Sequence, residues 1–189
     1  MIYLIRHGQT QLNSAKLLQG RSDHPLNEAG ILQAQEAAAF LRERGVVFRH
    51  VFTSPLIRAV QTAAIVAPEI APVTEARLIE MDYGPYEGAD LRRLPPEVLT
   101  FFKDFVHNPA PEGMEQLPAV VRRVGEFLEE IKGLSGDILI STHAIAMKGA
   151  LEYLTPESGG GWWSRYIGNC AVFAADNSSD QISVPVQLL

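Results

Sequence analysis

The chain has 189 residues, of which 47% are hydrophobic and 20% are charged, a composition typical of one compact domain rather than a disordered or coiled-coil protein. Its formal net charge of -6 excludes an overall basic field for nucleic acid or an anionic membrane. We therefore expect a single domain over residues 1–189 that acts on a small molecule, with no nucleic-acid or membrane partner.

The cysteine content and the apolar segments bear on the cellular compartment. Cys170 is the single cysteine, so the chain has no internal disulfide, and a buried thiol in a reducing cytosol is expected. Residues 1–5 are apolar but are followed at once by Arg6 and His7, too soon for a signal peptide or a membrane-spanning helix. The uncharged residues 138–147 are also too few to cross a bilayer. These features predict a cytoplasmic protein.

Short apolar runs alternate with helix-like segments along the chain. The runs have the length of buried strands and lie at residues 2–5, 51–53, 73–78 and 137–142. Such alternation predicts strand-helix-strand units and a mostly parallel sheet. We expect an α/β fold, a three-layer α/β/α sandwich with the catalytic site at the carboxyl ends of the strands.

Capping residues and apolar periodicity delimit the predicted helices. Asn27 is a good N-cap and Gly45 a good helix stop, with apolar residues at three- and four-residue intervals between them. The same reasoning predicts helices at residues 56–67, 115–132 and 144–154. Residues 170–175 and 181–186 are expected to be closing strands, the second at an edge because it contains Pro185.

Two segments without periodicity are rich in glycine and aromatic residues. Residues 80–108 and 159–163 are predicted to be loops, and residues 80–114 to form a lid-like insertion. The first segment contains four aromatic residues, Tyr83, Tyr86, Phe101 and Phe102. Two roles remain open for their side chains, which either stack on a substrate ring or fill a small satellite core.

Charged residues follow the ends of four predicted strands. They are Arg6 and His7, then Arg58 four residues after Ser54, then Glu80 and His143. Ligands of open parallel sheets bind beyond the carboxyl ends of the strands, and arginine offers paired donors to phosphate oxygens. Gly8 would allow the backbone to approach a ligand closely. The pattern predicts an anion pocket at this edge of the sheet.

The motif Arg6-His7-Gly8-Gln9-Thr10, followed by Asn13, resembles the signature of the histidine phosphatase, or phosphoglycerate-mutase-like, superfamily. Four further motifs occur in the family's order, at residues 19–30, 54–63, 78–88 and 142–143. The resemblance therefore covers about residues 2–175, and the ordered set of motifs makes it specific.

The resemblance implies a role for each charged residue. His7 would attack the substrate as a neutral nucleophile and become a phosphohistidine, which water then hydrolyses. Arg6 and Arg58 would disfavour the imidazolium form of His7 and hold the phosphoryl oxygens in line. His143 would be a protonated imidazole that stabilises the developing charge, and Glu80 the proton donor to the leaving group and later the base for water.

Further contacts and departures follow from the same resemblance. It implies phosphate or substrate binding by Asn13, Gln19, Gly20, Thr10 and the backbone N–H of Ala144, with no metal and no cofactor. Three departures from the family pattern occur: Ala144 replaces a usual glycine, Lys148 replaces a common arginine, and Gly113-Met114-Glu115 replaces a frequent Gly-Glu-Ser stretch, which removes a hydroxyl from the pocket rim. We expect these changes to affect substrate preference more than chemistry.

The expected activity is that of a metal-independent histidine acid-type phosphatase, a phosphomonoesterase for a small phosphorylated metabolite. Gln19-Gly20 and Met81-Asp82-Tyr83-Gly84 resemble the phosphatase branch of the family, which includes broad-specificity and α-ribazole phosphatases, more than the mutases. Two alternatives stay open: phosphoryl transfer of the phosphoglycerate-mutase type, and a catalytically silent module that binds a phosphorylated ligand. A metallophosphatase is disfavoured because the sequence lacks a His-x-His, an H-E-x-x-H motif or a cysteine pair. The oligomeric state, a homodimer included, is left open.

Overall fold

The computed structural model describes residues 1–178 and 181–189. In these residues the chain forms one sheet of six strands in the order β3-β2-β4-β1-β5-β6. Their bounds are β1 Ile2–Arg6, β2 Phe48–Thr53, β3 Val73–Thr74, β4 Asp137–Thr142, β5 Val172–Ala175 and β6 Val186–Gln187. The first four strands run parallel to one another, whereas β5 and β6 pair antiparallel. The predicted α/β fold with a mostly parallel sheet is confirmed.

Helices cover both faces of this sheet. Their bounds are α1 Gln11–Ala15, α2 Glu28–Glu43, α3 Ile57–Val66, α4 Pro96–Lys103, α5 Leu117–Ile131 and α6 Ala144–Leu154. Side chains alternate between the two faces of β1, so Ile2 and Leu4 pack with α5 and α6, while Tyr3 and Ile5 pack with α2 and α3. Two hydrophobic cores thus separate the three layers.

The structure departs from the sequence-based prediction in three segments. Strand β3 has only two residues, because the side chain of Glu75 accepts a hydrogen bond from the backbone of Arg77 and starts a 3-10 turn at residues 76–78. The last strand is confined to Val186–Gln187, after Pro185. Within the predicted loop 80–108, α4 forms and buries Val98 and Phe101 in the core.

Short helix α1 was not predicted either, although Thr10 and Asn13 form a reciprocal capping box at its start. In the described residues, no helix combines the length and the apolarity needed to span a bilayer. The parallel strands β1, β2 and β4 end at Arg6, Thr53 and Thr142. Their carboxyl ends therefore place the residues that follow them at one edge of the sheet.

Candidate active site

A cavity of about 350 Å³ opens at the carboxyl edge of the sheet. Residues from β1, α1, α6 and the loops between them line it, among them Arg6, His7, Asn13, Gln19, Glu80, Ala144 and Lys148. His143 lies next to His7, with ring centroids 5.1 Å apart. The fold thus brings residues that are far apart in the sequence to a single pocket, as the strand-end pattern predicts.

His7 is a buried imidazole held in one orientation. Its Nδ1 lies 2.7 Å from the carbonyl oxygen of Gly8, which can only accept, so Nδ1 carries the proton and Nε2 keeps a free lone pair. Burial, followed by the charges of Arg6 and Arg58, holds the pKa of His7 well below its ordinary value of 6.5. At neutral pH His7 is therefore an uncharged imidazole, the form that a nucleophile requires.

Two guanidinium groups are fixed by backbone carbonyls rather than by carboxylates. Arg58 is fully buried and donates to the carbonyl oxygens of Ser22 at 2.8 Å and Gly20 at 2.6 Å. Arg6 donates to the carbonyl oxygen of Ile167 at 2.6 Å. Burial lowers the pKa of Arg58 to about 10, so the group stays charged at neutral pH. Neither arginine has its charge neutralised by an ion pair in the described residues.

The loop that holds Arg58 is itself held by a carboxylate. Glu87 accepts hydrogen bonds from the backbone N–H groups of Gly20, Arg21 and Ser22. A Cβ at position 20 would approach the carbonyl oxygen of Met81 to 2.6 Å, so only glycine fits there. Gly20 was predicted to bind phosphate or substrate, but its backbone N–H is already bonded to Glu87 at 2.8 Å. Gly20 instead positions Arg58 through its carbonyl group.

Three polar side chains in and near α1 orient one another. Thr10 donates its hydroxyl to Gln19 Oε1 at 2.7 Å, and Asn13 Nδ2 lies 3.4 Å from the same oxygen. With its oxygen occupied, Gln19 keeps its amide N–H groups free as donors. Thr10 has its hydroxyl proton engaged and is fully buried as the cap of α1, so it acts on the pocket through Gln19. Asn13 and Gln19 line the cavity, as predicted.

Glu80 is buried against the start of α6. Its Oε1 accepts from the backbone N–H groups of Met81 at 2.9 Å, Ile145 at 3.1 Å and Ala146 at 3.0 Å. Its Oε2 has one weaker contact, to Ile145 at 3.2 Å, and is the oxygen with capacity left for a substrate. The carboxylate therefore caps the helix with one oxygen and lines the pocket.

The predicted protonation of His143 is wrong for the unliganded protein. Burial, followed by the charge of Arg58, holds the pKa of His143 well below 6.5, so this imidazole is neutral as well. Its Nε2 lies 2.7 Å from Ser54 Oγ, which already accepts from the N–H of Leu56 at 3.3 Å. Ser54 has a hydroxyl proton to donate to Nε2, and in that tautomer the ring proton of His143 lies on Nδ1. The resulting neutral Nδ1–H still donates a hydrogen bond.

Four buried nitrogen donors of this site have no hydrogen-bond partner. In the described residues they are the complete set of such atoms: Arg6 Nε, Gln19 Nε2, Arg58 Nε and His143 Nδ1. A buried donor without a partner costs about 1–3 kcal/mol, and more when it is charged. All four belong to predicted site residues; the two arginine nitrogens and the amide nitrogen are donors, and His143 Nδ1 is a donor in the tautomer described above. The site is therefore prepared for an anion that accepts several hydrogen bonds.

The departures from the family pattern have different structural consequences. Ala144 is the first residue of α6, so its N–H has no acceptor within the helix and is free for a ligand. Its φ is not positive, so an alanine is accommodated at this position without backbone strain. Met114, in the altered Gly113-Met114-Glu115 stretch, is 7% exposed and packs in the core rather than lining the pocket. Lys148 lines the pocket.

Gly8 has a different role from the one expected. A Cβ at this position would collide with the carbonyl oxygen of Gly30 in α2, so the glycine allows two backbones to approach each other rather than a ligand. The N–H of Gly8 donates to the hydroxyl of Thr62 in α3 at 3.0 Å. These contacts fix the chain that presents His7.

Sequence reasoning missed a further supporting residue, Asn169. Its Nδ2 donates to the carbonyl oxygen of His7 at 3.0 Å and to Asn13 Oδ1 at 3.3 Å, and so links the backbone of His7 to α1. Asn169 lies in the loop before β5, where the sequence has neither a motif nor an apolar period that would mark it as a site residue. The aromatic side chains Tyr83 and Phe101 are in the core, with Tyr86 and Phe102 packed against it, as one of the two open roles predicts. Tyr83 and Phe102 also line the pocket, and stacking on a substrate ring stays a prediction.

A larger cavity, of about 1160 Å³, lies beside α5 and the ends of α4 and α6. Its walls are mainly apolar and include Phe105, Val121, Tyr153 and Trp163. It contains none of the predicted site residues. Chemistry, rather than size, therefore identifies the smaller pocket as the candidate active site.

Fold and site together define an α/β protein with an anion pocket around a neutral imidazole at the strand ends. Residues 2–185 match the model of the histidine phosphatase superfamily (branch 1), and the chain belongs to this family.

Some of the proteins to which the chain is similar are named phosphoglycerate mutases, and others are named phosphatases. A protein of Yersinia pestis (strain Pestoides F), named probable phosphoglycerate mutase GpmB, is 36% identical over 155 residues, covering 77% of this chain and 70% of the relative. The structure of phosphoglycerate mutase from Thermus thermophilus is 28% identical, with a TM-score of 0.75 over 100% of this chain and 99% of that one. Mycobacterial glucosyl-3-phosphoglycerate phosphatase shares the fold, at 22% identity and a TM-score of 0.82 over 100% and 96% of the two chains.

Proposed function

We propose that this protein is a phosphomonoesterase that hydrolyses a small phosphorylated metabolite through a phosphohistidine on His7. The observation that carries the proposal is the set of four unpartnered buried donors around a neutral imidazole. A phosphoryl group has oxygens for all of these donors, and two nearby guanidinium charges stabilise it without a metal ion.

The proposed reaction runs through named atoms of this pocket. Nε2 of His7 attacks phosphorus while the hydrogen bond from Nδ1 to Gly8 keeps the ring in place. Arg6, Arg58 and the Nδ1–H of His143 would bind the equatorial oxygens as charge develops. Glu80 would protonate the leaving oxygen, and then accept a proton from the water that attacks the phosphohistidine.

Access of water favours hydrolysis over retention of the phosphoryl group. The mouth of the pocket includes Leu91 and Tyr166, and the latter is 86% exposed. A phosphohistidine at the base of such an open pocket can be reached by solvent. The second candidate, mutase-type transfer, is favoured by the 36% identity to a protein with a mutase name.

Two assays distinguish these activities. Hydrolysis of p-nitrophenyl phosphate in excess EDTA, lost in His7→Ala, is the expected result. Activity that requires an added metal would contradict the proposal, and no hydrolysis at all would favour the silent binding module. With 3-phosphoglycerate we expect inorganic phosphate as the main product, whereas formation of 2-phosphoglycerate at a higher rate would identify a mutase.

A further inference from the structure

Glu152 is a buried carboxylate that the proposed chemistry does not use. It lies on α6, is 8% exposed, and in the described residues has no cation within ion-pair distance. Its oxygens instead accept hydrogen bonds from the backbone N–H groups of Gly160 at 3.2 Å and Trp162 at 2.6 Å, and from the hydroxyl of Ser158 at 2.6 Å. Burying a carboxylate is costly unless such bonds replace its hydration. These donors belong to one segment after α6, residues 158–167, which we call the supporting segment.

The supporting segment also holds two cations of the catalytic pocket. The carbonyl oxygen of Trp163 accepts from Lys148 Nζ at 2.7 Å, and that of Ile167 accepts from Arg6 Nη1 at 2.6 Å. Both cations line the cavity of about 350 Å³, as does Ile167. The backbone of the segment therefore connects Glu152 to positive charges that an anion in the pocket would meet.

Lys148 and Glu152 have the spacing of an ion pair but do not form one. They lie four residues apart on α6, a separation at which oppositely charged side chains become neighbours. Here both charges bond to the backbone of the supporting segment instead, Glu152 to the N–H of Trp162 and Lys148 to the carbonyl group of the next residue. Removing the carboxylate would release one side of this attachment, and the carbonyl group that holds Lys148 would move with it.

Arg58 is held by the same kind of arrangement. Glu87 accepts from the backbone N–H groups of residues 20–22, and the carbonyl groups of Gly20 and Ser22 bind Arg58. In both places a carboxylate orients a cation through neutral peptide groups, and so does not neutralise its charge as a direct ion pair would. Glu152 itself lines the larger cavity beside α5. The catalytic pocket thus keeps its positive charge while its cations are fixed.

We propose that Glu152 is a positioning residue of the catalytic pocket, which places Lys148 and Arg6 for phosphoryl binding through the backbone of the supporting segment. The inference rests on the proposed phosphatase function, because it takes the anion in the pocket to be a phosphoryl group.

Glu152→Ala tests the proposal by the binding of inorganic phosphate, measured by isothermal titration calorimetry. The bond of 2.7 Å from Trp162 Nε1 to Thr155 Oγ1 does not involve the carboxylate, so we expect the segment to shift rather than to unfold. Misplaced cations should raise the dissociation constant for phosphate about tenfold or more, as for the loss of one charge-assisted hydrogen bond. Removal of a negative charge near a bound anion would by itself have the opposite sign and lower the dissociation constant.

Two control variants separate position from charge. Glu157→Ala removes the same charge from an exposed side chain in the turn after α6, which makes no side-chain hydrogen bond in the described residues, and should change the dissociation constant by less than about twofold. Glu152→Gln also removes the charge, but keeps an oxygen for the N–H of Trp162 and an amide that can donate to Ser158. It should therefore bind phosphate more tightly than Glu152→Ala does.

Two further measurements distinguish positioning from a loss of folded protein. Gly160→Ala displaces the supporting segment without a change of charge, because φ is +89° there and a Cβ would lie 2.5 Å from Val106 Cγ2; it should raise the dissociation constant as well. Partial unfolding would lower the number of phosphate sites per chain and the apparent kcat for p-nitrophenyl phosphate, but not the affinity of the folded molecules. Positioning predicts a higher dissociation constant and a higher KM with a full site on each chain.

The failing outcomes are separable. The inference is overturned by an unchanged or lower dissociation constant in Glu152→Ala, or in Gly160→Ala if the first variant does not fold. An equal rise in Glu157→Ala, or a loss of sites without a loss of affinity, would overturn it too. The proposed phosphatase function is judged separately, by hydrolysis of p-nitrophenyl phosphate, and a wild-type protein that binds phosphate without hydrolysing that ester would reject the proposed function alone.

Discussion

Replacing Glu80 by glutamine separates the two roles that the structure gives this side chain. The amide keeps one oxygen, which can accept the backbone N–H groups of Met81, Ile145 and Ala146 in place of Oε1. The amide nitrogen then replaces Oε2, where it faces the N–H of Ile145. One acceptor contact at the start of α6 becomes a contact between two donors, and we expect the free energy of unfolding to fall by about 1–3 kcal/mol.

The effect on catalysis should depend on the leaving group. An amide cannot supply the proton, and loss of a general acid reduces the rate by about 10² to 10⁴, equivalent to roughly 3–5 kcal/mol in the barrier. Glycerol 3-phosphate releases a basic alkoxide and should show this loss in kcat. p-Nitrophenyl phosphate releases a stable phenolate and should lose far less.

The assay compares kcat for the two substrates in wild-type protein and Glu80→Gln, with thermal unfolding as a control for folding. Equal slowing of both substrates, in a variant that remains folded, would refute the assignment of Glu80 as the proton donor. Unchanged rates for both would show that the carboxylate only caps α6.

Three other predictions follow from the site and its supports. The pKa values of His7 and His143 lie well below 6.5 in the folded protein, so below pH 6.5 the unfolded chain binds more protons than the folded one. Urea titrations should therefore show a free energy of unfolding that falls with decreasing pH, by up to about 1.4 kcal/mol per pH unit for each histidine. A free energy of unfolding that is constant from pH 6.5 to pH 5 would contradict the neutral state of both histidines. Glu87→Ala should weaken inhibition by vanadate about tenfold or more because the loop that holds Arg58 loses its anchor, and unchanged inhibition would exclude that role. Gly8→Ala should lower the free energy of unfolding by about 1–3 kcal/mol, whereas the control Gly168→Ala, with its nearest atom 3.8 Å away, should not.

The sequence was sufficient for the parts of the molecule that depend on local signals. Asn27 caps α2 as predicted, by accepting from the N–H of Gly30, and the buried strands β1 and β4 occur where uninterrupted apolar runs predict them. The placement of His7 and His143 beside each other follows from these two strands, because they are parallel neighbours that end in register. Strand-end residues could therefore be assigned to one pocket without a structure.

Features that depend on tertiary contacts could not be predicted. Helix α4 has only eight residues, too few for a clear period, and forms because Phe101 finds a place in the core. The neutral state of His143 arises from burial and from Arg58, which is distant in the sequence. Gly8 faces Gly30 rather than a ligand, a contact visible only when α2 is packed on the sheet.

The most direct test of the account is to trap the covalent intermediate. The protein is mixed with a ³²P-labelled substrate, denatured in alkali within one turnover and digested, and the labelled peptide is identified by mass spectrometry. The account predicts an acid-labile, base-stable phosphoryl group on His7 that is absent from His7→Ala. A label on any other side chain, or rapid hydrolysis with no labelled protein under conditions where the intermediate should accumulate, would contradict it.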